Sequence, residues 1–115
     1  MLITIVELPE FQKRSAKILK AEERDDLLYY LSENPTSGDL IPGSGGIRKL
    51  RWKSKGKGKS GGSRIIYYYH NEEIPLFLLT LFPKNEKVNI SSSEKKELSK
   101  LIKILVDNYE RQNYE

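Results

Sequence analysis

The sequence predicts an α+β domain in which helices pack on a small antiparallel sheet. Three observations carry that expectation. The first thirty-odd residues repeat their apolar positions at helical spacing after a short β-branched opening. Three runs rich in β-branched and aromatic residues follow between Ile47 and Phe82, joined by connections short enough for antiparallel neighbours. A last amphipathic stretch closes the chain. At 115 residues this is the size of one domain with one core.

Taken in order, Leu2–Glu7 alternates loosely and is β-branched, which predicts a short strand. Pro9 suits a first helical turn. Phe11, Ser15, Ile18 and Leu19 then recur at helical spacing, and Ala21–Ser32 continues with good helix formers around Leu27, Leu28 and Leu31. A break is expected near Lys20, making a helical hairpin that stops at Asn34-Pro35, because a residue before proline is pushed out of the helical region. Thr36–Gly46 is rich in Gly, Pro and Ser and predicts a loop. Ile47–Trp52, Ser63–His70 and Ile74–Phe82 predict strands, separated by the loop Lys53–Gly62 and a tight turn around Asn71–Glu73. Ser91 and Glu94 have capping-box spacing. Beyond them Leu98, Leu101, Ile102, Leu105, Val106 and Tyr109 share one helical face, and the chain past Tyr109 is polar and expected to fray. The expected order is β-α-α-β-β-β-α, with two N-terminal helices on one sheet face and a C-terminal helix.

Composition narrows the chemistry. There are no cysteines and one histidine, which excludes disulfides, thiol catalysis, cysteine metal sites and a His-rich metal centre. No apolar run approaches the roughly 20 residues of a membrane-spanning helix, and no signal peptide is visible, so the cytoplasm is the expected compartment. No metal, cofactor or membrane partner is expected.

Charge is unevenly distributed. Arg48–Arg64 holds eight basic residues (Arg48, Lys49, Arg51, Lys53, Lys55, Lys57, Lys59 and Arg64) and no acid. The other 98 positions hold 12 basic and 16 acidic residues, so a local cationic patch sits on an otherwise acidic chain. Such density marks a footprint for a polyanion, most often nucleic acid, although a loop kept soluble by lysines has the same composition.

Several spellings mislead. Gly56-x-Gly58-x-x-Gly61 has the dinucleotide pattern, but a strand follows it where a helix N-terminus is needed to meet the pyrophosphate. Gly58-Lys59-Ser60 ends like a P-loop, yet Lys53 occupies the first glycine position. His70 beside a turn reads as surface or structural. Glu22, Glu23, Asp25 and Asp26 at a helix start suit the macrodipole better than a metal.

Strand parity sorts what remains. Lys49 and Arg51 point one way on their strand, with Arg48, Leu50 and Trp52 the other way. On Ser63–His70, Ile65, Tyr67 and Tyr69 are assigned to the helix-packed core, which leaves Arg64, Ile66 and Tyr68 on an open side. Lys84 reaches the same surface from the end of the next strand. A cradle of Lys49, Arg51, Arg64 and Lys84 would bind a phosphodiester. It could also cleave RNA, whose 2′-hydroxyl is a built-in nucleophile, by stabilising the charge on phosphorus. A lysine could act as base or acid if neighbouring cations lower its pKa. Passive binding of RNA or DNA fits this pattern equally.

A longer pattern adds weight. Asn34-Pro35-x-x-Gly38-Asp39-x-Ile41-Pro42-Gly43-x-Gly45-Gly46-Ile47-Arg48-Lys49-Leu50-Arg51 resembles the signature of the HigB branch of RelE-superfamily toxins. So do Ser54–Tyr68, with its Ser63-Arg64-Ile65-Ile66-Tyr67-Tyr68 end, and Leu79-Thr80-Leu81-Phe82-x-Lys84-Asn85-Glu86. The resemblance spans nearly the whole chain and implies one RelE/HigB-like toxin domain over residues 1–115. It implies a metal-independent, ribosome-dependent mRNA interferase, an endoribonuclease that cuts mRNA in the decoding site and inhibits translation. Implied partners are the ribosome with its 16S rRNA, mRNA, and a cognate helix-turn-helix antitoxin of the HigA type, with operator DNA met only through the antitoxin. Carried over by position, the catalytic residues are Arg64, Lys84, Lys49 and Arg51. RNA or ribosome contacts fall to Lys53, Lys55, Lys57, Lys59, Arg48, Asn85 and Phe82, the last as a stacking ring. The late basic pair of RelE meets Lys84 and Asn85, so one position is not basic, and RelE's later tyrosine has no counterpart in Val88–Ser91. ParE toxins share the fold and poison DNA gyrase without cleaving nucleic acid, which is the competing class, together with a non-catalytic RNA-binding member.

Overall fold

A computed structural model describes residues 3–53 and 62–113. The elements are β1 (Ile5–Glu7), α1 (Pro9–Ile18), α2 (Ala21–Glu33), β2 (Asp39–Leu40), β3 (Ile47–Lys53), β4 (Gly62–Tyr68), β5 (Leu76–Pro83) and α3 (Ser92–Asn113). They form an α+β fold around one five-stranded sheet of order β1-β5-β4-β3-β2. The meander β2-β3-β4-β5 is antiparallel, as its short connections require. β1 runs parallel to β5, so the sheet is mixed: the helical hairpin α1-α2 and the meander intervene before the chain returns beside β1.

Local chemistry accounts for the boundaries. Pro9 opens α1 at a position where its missing N–H costs nothing. The expected break at Lys20 is present: its N–H donates to Glu23 Oε1 at 2.9 Å at the start of α2. Asn34 ends α2, with both its backbone N–H and its side-chain amide on the Tyr30 carbonyl, and Pro35 prevents continuation. At α3 the capping box forms as expected, Ser91 N–H to Glu94 Oε1 at 2.9 Å and Glu94 N–H to Ser91 Oγ at 3.1 Å.

Two elements depart from expectation. The Thr36–Gly46 loop contains β2, whose two residues are too few to show a period. Its return to β3 uses Gly43, Gly45 and Gly46 at positive φ, fastened by Ser44 Oγ on the Ile41 carbonyl at 2.6 Å. The strand pair β4-β5 ends at Tyr68 and restarts at Leu76 rather than running from His70 to Ile74. Asn71 Oδ1 accepts the N–H groups of Glu73 and Ile74 and so turns the chain early.

The sheet is covered on both faces. Phe11, Leu27 and Leu31 from α1 and α2 pack on Leu50, Ile65, Tyr67, Leu76, Leu78 and Leu81. Ile102 and Val106 of α3 pack with Ile41, Ile47, Ile66, Tyr68, Phe77, Leu79 and Phe82 on the other face. The side expected to be open is therefore open only at its Arg64 end, since α3 buries Ile66 and Tyr68. A register shift between Ile66 and Tyr67, paired with Thr80 and Leu78, leaves Leu79 as the extra residue of a bulge. That bulge lets β5, almost wholly buried, supply both cores. Among the described residues no helix is long and apolar enough to cross a membrane.

A candidate phosphate cradle at one end of the sheet

Strand geometry assembles the site. Lys49, Arg51 and Lys53 alternate onto the α3 face of β3, the face of Ile47. The β3-β4 register places Arg51 opposite Arg64, and the β4-β5 register places Arg64 opposite Phe82. Lys84, just past β5, donates its N–H to the Gly62 carbonyl at 3.0 Å. Its side chain lies along β4 at Gly62, where an added Cβ would come within 2.9 Å of Lys84 Cδ. Glycine at this position leaves room for the lysine stem two residues before Arg64.

The structure thus brings Lys49, Arg51, Arg64 and Lys84 onto one face, and adds Lys53, expected in the loop but placed at the end of β3. Among the described residues Arg51, Arg64 and Lys84 form no hydrogen bond or ion pair through their side chains, and the buried Arg64 Nε lacks a partner. Lys49 donates from Nζ to the Val88 carbonyl at 3.2 Å, which ties the chain before α3 to the cradle. Like charges directly opposite on neighbouring strands destabilise a sheet by a few tenths of a kcal/mol. The Arg51–Arg64 pair is therefore a local conflict within the sheet.

Two neighbouring acids are committed elsewhere. Glu86 binds Arg14, whose Nη2 reaches both carboxylate oxygens at 3.0 and 3.1 Å while its Nε donates to the Leu81 carbonyl at 2.6 Å. Glu94 accepts Lys87 on both oxygens at 2.9 Å. The Ser91 N–H and then the Lys87 ammonium hold the Glu94 carboxyl below its ordinary pKa, so this counter-ion stays charged and stays with Lys87. A third, Asp39, faces Lys49 in register and forms no ion pair among the described residues.

Other expected site residues are placed differently. Arg48 lies on the opposite face, where its Nη1 donates to the carbonyls of Thr36 at 3.1 Å and Gly38 at 2.8 Å. It pins a loop and does not join the cradle. Phe82 is only 1% exposed, with Lys87 Nζ 4.9 Å above its ring, so it presents no free face for stacking. Instead it stands beside Arg64 in the β4-β5 register, in the core on the α3 face. Asn85 is exposed in the turn closed by Glu86 N–H on the Pro83 carbonyl. Lys55, Lys57 and Lys59 lie outside the described residues.

His70 plays the structural part expected, with Nδ1 3.0 Å from the Tyr68 hydroxyl and Nε2 3.7 Å from Glu110. Sequence reasoning did not find Arg14, Lys87 or Gly62. Arg14 and its partners are separated by about seventy positions, and only the Gly at the start of β4 carried a local signal, that of close approach.

With this geometry in view, residues 10–113 match the protein family described as the RelE toxin of the RelE / RelB toxin-antitoxin system. The chain belongs to the RelE toxin family. Among solved structures, this RelE-family toxin is similar to E. coli toxin RelE, determined as a double arginine-to-alanine mutant in the free state. Identity is 19% over 76% of this chain and 88% of that one, with a TM-score of 0.55, which establishes a shared fold. The resemblance seen in the motifs therefore holds at the level of the RelE family, and the cradle sits on a toxin fold.

Proposed function

We propose that this RelE-family toxin is a metal-independent mRNA endoribonuclease that acts in the ribosomal decoding site, and that it belongs to the HigB branch. The observation that carries the reading is the Arg51–Arg64 pair, set opposite each other across β3 and β4 without a carboxylate partner among the described residues. Two guanidiniums side by side fit the two non-bridging oxygens of a phosphodiester and gain most when the pentavalent state adds charge there.

The chemistry follows from RNA itself. The 2′-oxygen attacks the adjacent phosphorus, the P–O5′ bond breaks, and a 2′,3′-cyclic phosphate and a 5′-hydroxyl result. Arg64 and Arg51 hold the phosphoryl oxygens. Lys84, against Gly62, and Lys49, against the Val88 carbonyl, stand on either side as the groups available to move the two protons. No step requires an added nucleophile. The ribosome supplies the splayed mRNA, and a helix-turn-helix antitoxin of the HigA type holds the toxin inactive between uses, meeting operator DNA in its place. Activity on translating mRNA locates the protein in the cytoplasm.

Mapping mRNA 5′ ends after a brief pulse of toxin in a translating extract tests this, with wild type compared to Arg64→Ala. Expected are frame-linked cuts that need ribosomes and fall about 100- to 1,000-fold in the variant, the usual effect of removing one charge-stabilising donor. Melting of Arg64→Ala should stay near wild type, because its guanidinium has no partner among the described residues. Absence of cuts with wild-type protein, together with inhibition of DNA supercoiling, would replace this reading with the gyrase-poison one.

A further inference from the structure

The first three turns of α3 separate acids from lysines, and Asp107 follows on the lysine flank beside Lys103. Glu94 and Glu97 face Leu8, Pro9 and Glu10 across a partly apolar groove with Leu98 and Leu101. On the other flank Lys95, Lys96, Lys100 and Lys103 border an open depression against Gly43. Lys96, Lys100 and Lys103 follow at i, i+4 and i+7, so they stack along one side and span about 10 Å of helix. All three are exposed, and none has an ion pair among the described residues. Lys96 and Lys100 repel each other at i, i+4 spacing, and Asp107, four residues after Lys103, forms no ion pair with the lysines among the described residues.

The surface beneath them is fixed. Lys95 Nζ donates to the Pro42 carbonyl at 3.1 Å, and Ser99 Oγ donates to the Ser44 carbonyl at 2.7 Å. These bonds join the helix flank to the turn before β3. No aromatic or arginine side chain borders the depression, so it offers point charges to a sugar-phosphate backbone rather than stacking or forked contacts to bases. α3 also lies on the same sheet face as the cradle, and the segment leading into it holds Lys49 at Val88.

We propose that Lys96, Lys100 and Lys103 form a second RNA contact, which grips the phosphate backbone of a folded, base-paired RNA while the arginine cradle acts on a single strand. The inference deepens the interferase reading and rests on it for the identity of the target, the paired ribosomal RNA around the decoding site. The cradle supplies chemistry and the α3 flank supplies residence.

The test compares two triple variants with the same reduction in charge. One is Lys96→Gln, Lys100→Gln and Lys103→Gln. The other is Lys13→Gln, Lys17→Gln and Lys20→Gln, at exposed positions in and after α1. The probes are an RNA hairpin of about 20 base pairs and isolated small ribosomal subunits, titrated across a salt series. The α3 triple should lower the salt slope by about two to three, near 0.9 for each phosphate no longer neutralised. It should weaken subunit binding at least about tenfold at physiological salt, and raise KM for mRNA cleavage on ribosomes with kcat unchanged. The α1 triple should keep the wild-type slope.

An unchanged slope in the α3 triple, or equal weakening in both triples, would overturn the proposal. If the wild-type protein cuts no mRNA yet the α3 triple alone fails to bind the hairpin, the interferase reading fails and the RNA surface stands.

Discussion

The phenol of Tyr67 is a buried polar group that joins β4 to the loop before β2, and Tyr67→Phe isolates its contribution. The ring is fully buried, its hydroxyl accepts the Gly38 N–H at 2.8 Å and donates to the Pro35 carbonyl at 2.9 Å. Phenylalanine keeps the ring packing and removes both bonds. Gly38 is buried, so its N–H loses its acceptor and carries a desolvation penalty of about 1–3 kcal/mol. The Pro35 carbonyl is partly exposed and can recover water, which limits its share to about 0.5–1 kcal/mol. The expected loss is thus about 2–3 kcal/mol, a large fraction of a stability of roughly 5–15 kcal/mol. Urea unfolding should show a lower midpoint with an unchanged m-value. A pH series adds a sign. Burial raises the Tyr67 pKa above its ordinary value of 10.0, so the fold favours the neutral phenol. That stability is complete below about pH 10 and is lost as the pH rises further, because only the unfolded chain then ionises freely. The gap between wild type and Tyr67→Phe should therefore narrow above pH 10, with the raised Tyr68 common to both proteins and cancelling. A penalty under about 0.5 kcal/mol, or a gap constant to pH 11, would refute the reasoning.

Two further predictions follow from the site's surroundings. Glu94→Gln should destabilise the protein at neutral pH by about 0.5–1 kcal/mol through the weakened cap, a modest figure because the carboxylate is partly exposed. Since its folded pKa is lowered, the stability it contributes is present above the ordinary carboxyl range and lost as the pH falls, so thermal melts of wild type and variant should converge in acid. Gly46→Ala should cost more than Gly45→Ala in the same melts. Both have positive φ, 110° and 77°, but a Cβ at Gly46 would also stand 3.0 Å from Tyr68 Cε1 while that at Gly45 meets open space. Equal destabilisation would show that strain alone sets the cost.

The sequence by itself determined every element but β2, the helix starts and the cationic face, because each follows from periods and caps read within a few residues, whereas α3 runs past Tyr109 to Asn113. Alternation along β3 and β4 is a local property, so Lys49, Arg51 and Arg64 could be assigned to one face without knowing the pairing. Parity could not say what lay above that face. α3 covers it from a distant part of the chain, which closes the side expected to be open and leaves only the Arg64 end uncovered. Phe82 and Arg48 look alike to composition as binding residues. One is buried under Lys87 and the other is held by loop carbonyls, since burial and hydrogen-bond partners depend on residues far away in sequence. Register, too, is a tertiary matter: the bulge at Leu79 and the opposition of Arg51 to Arg64 arise when two buried faces must be satisfied at once. Local pattern placed the charges on a surface, and only long-range packing decided which of them stand together with no ion pair among the described residues.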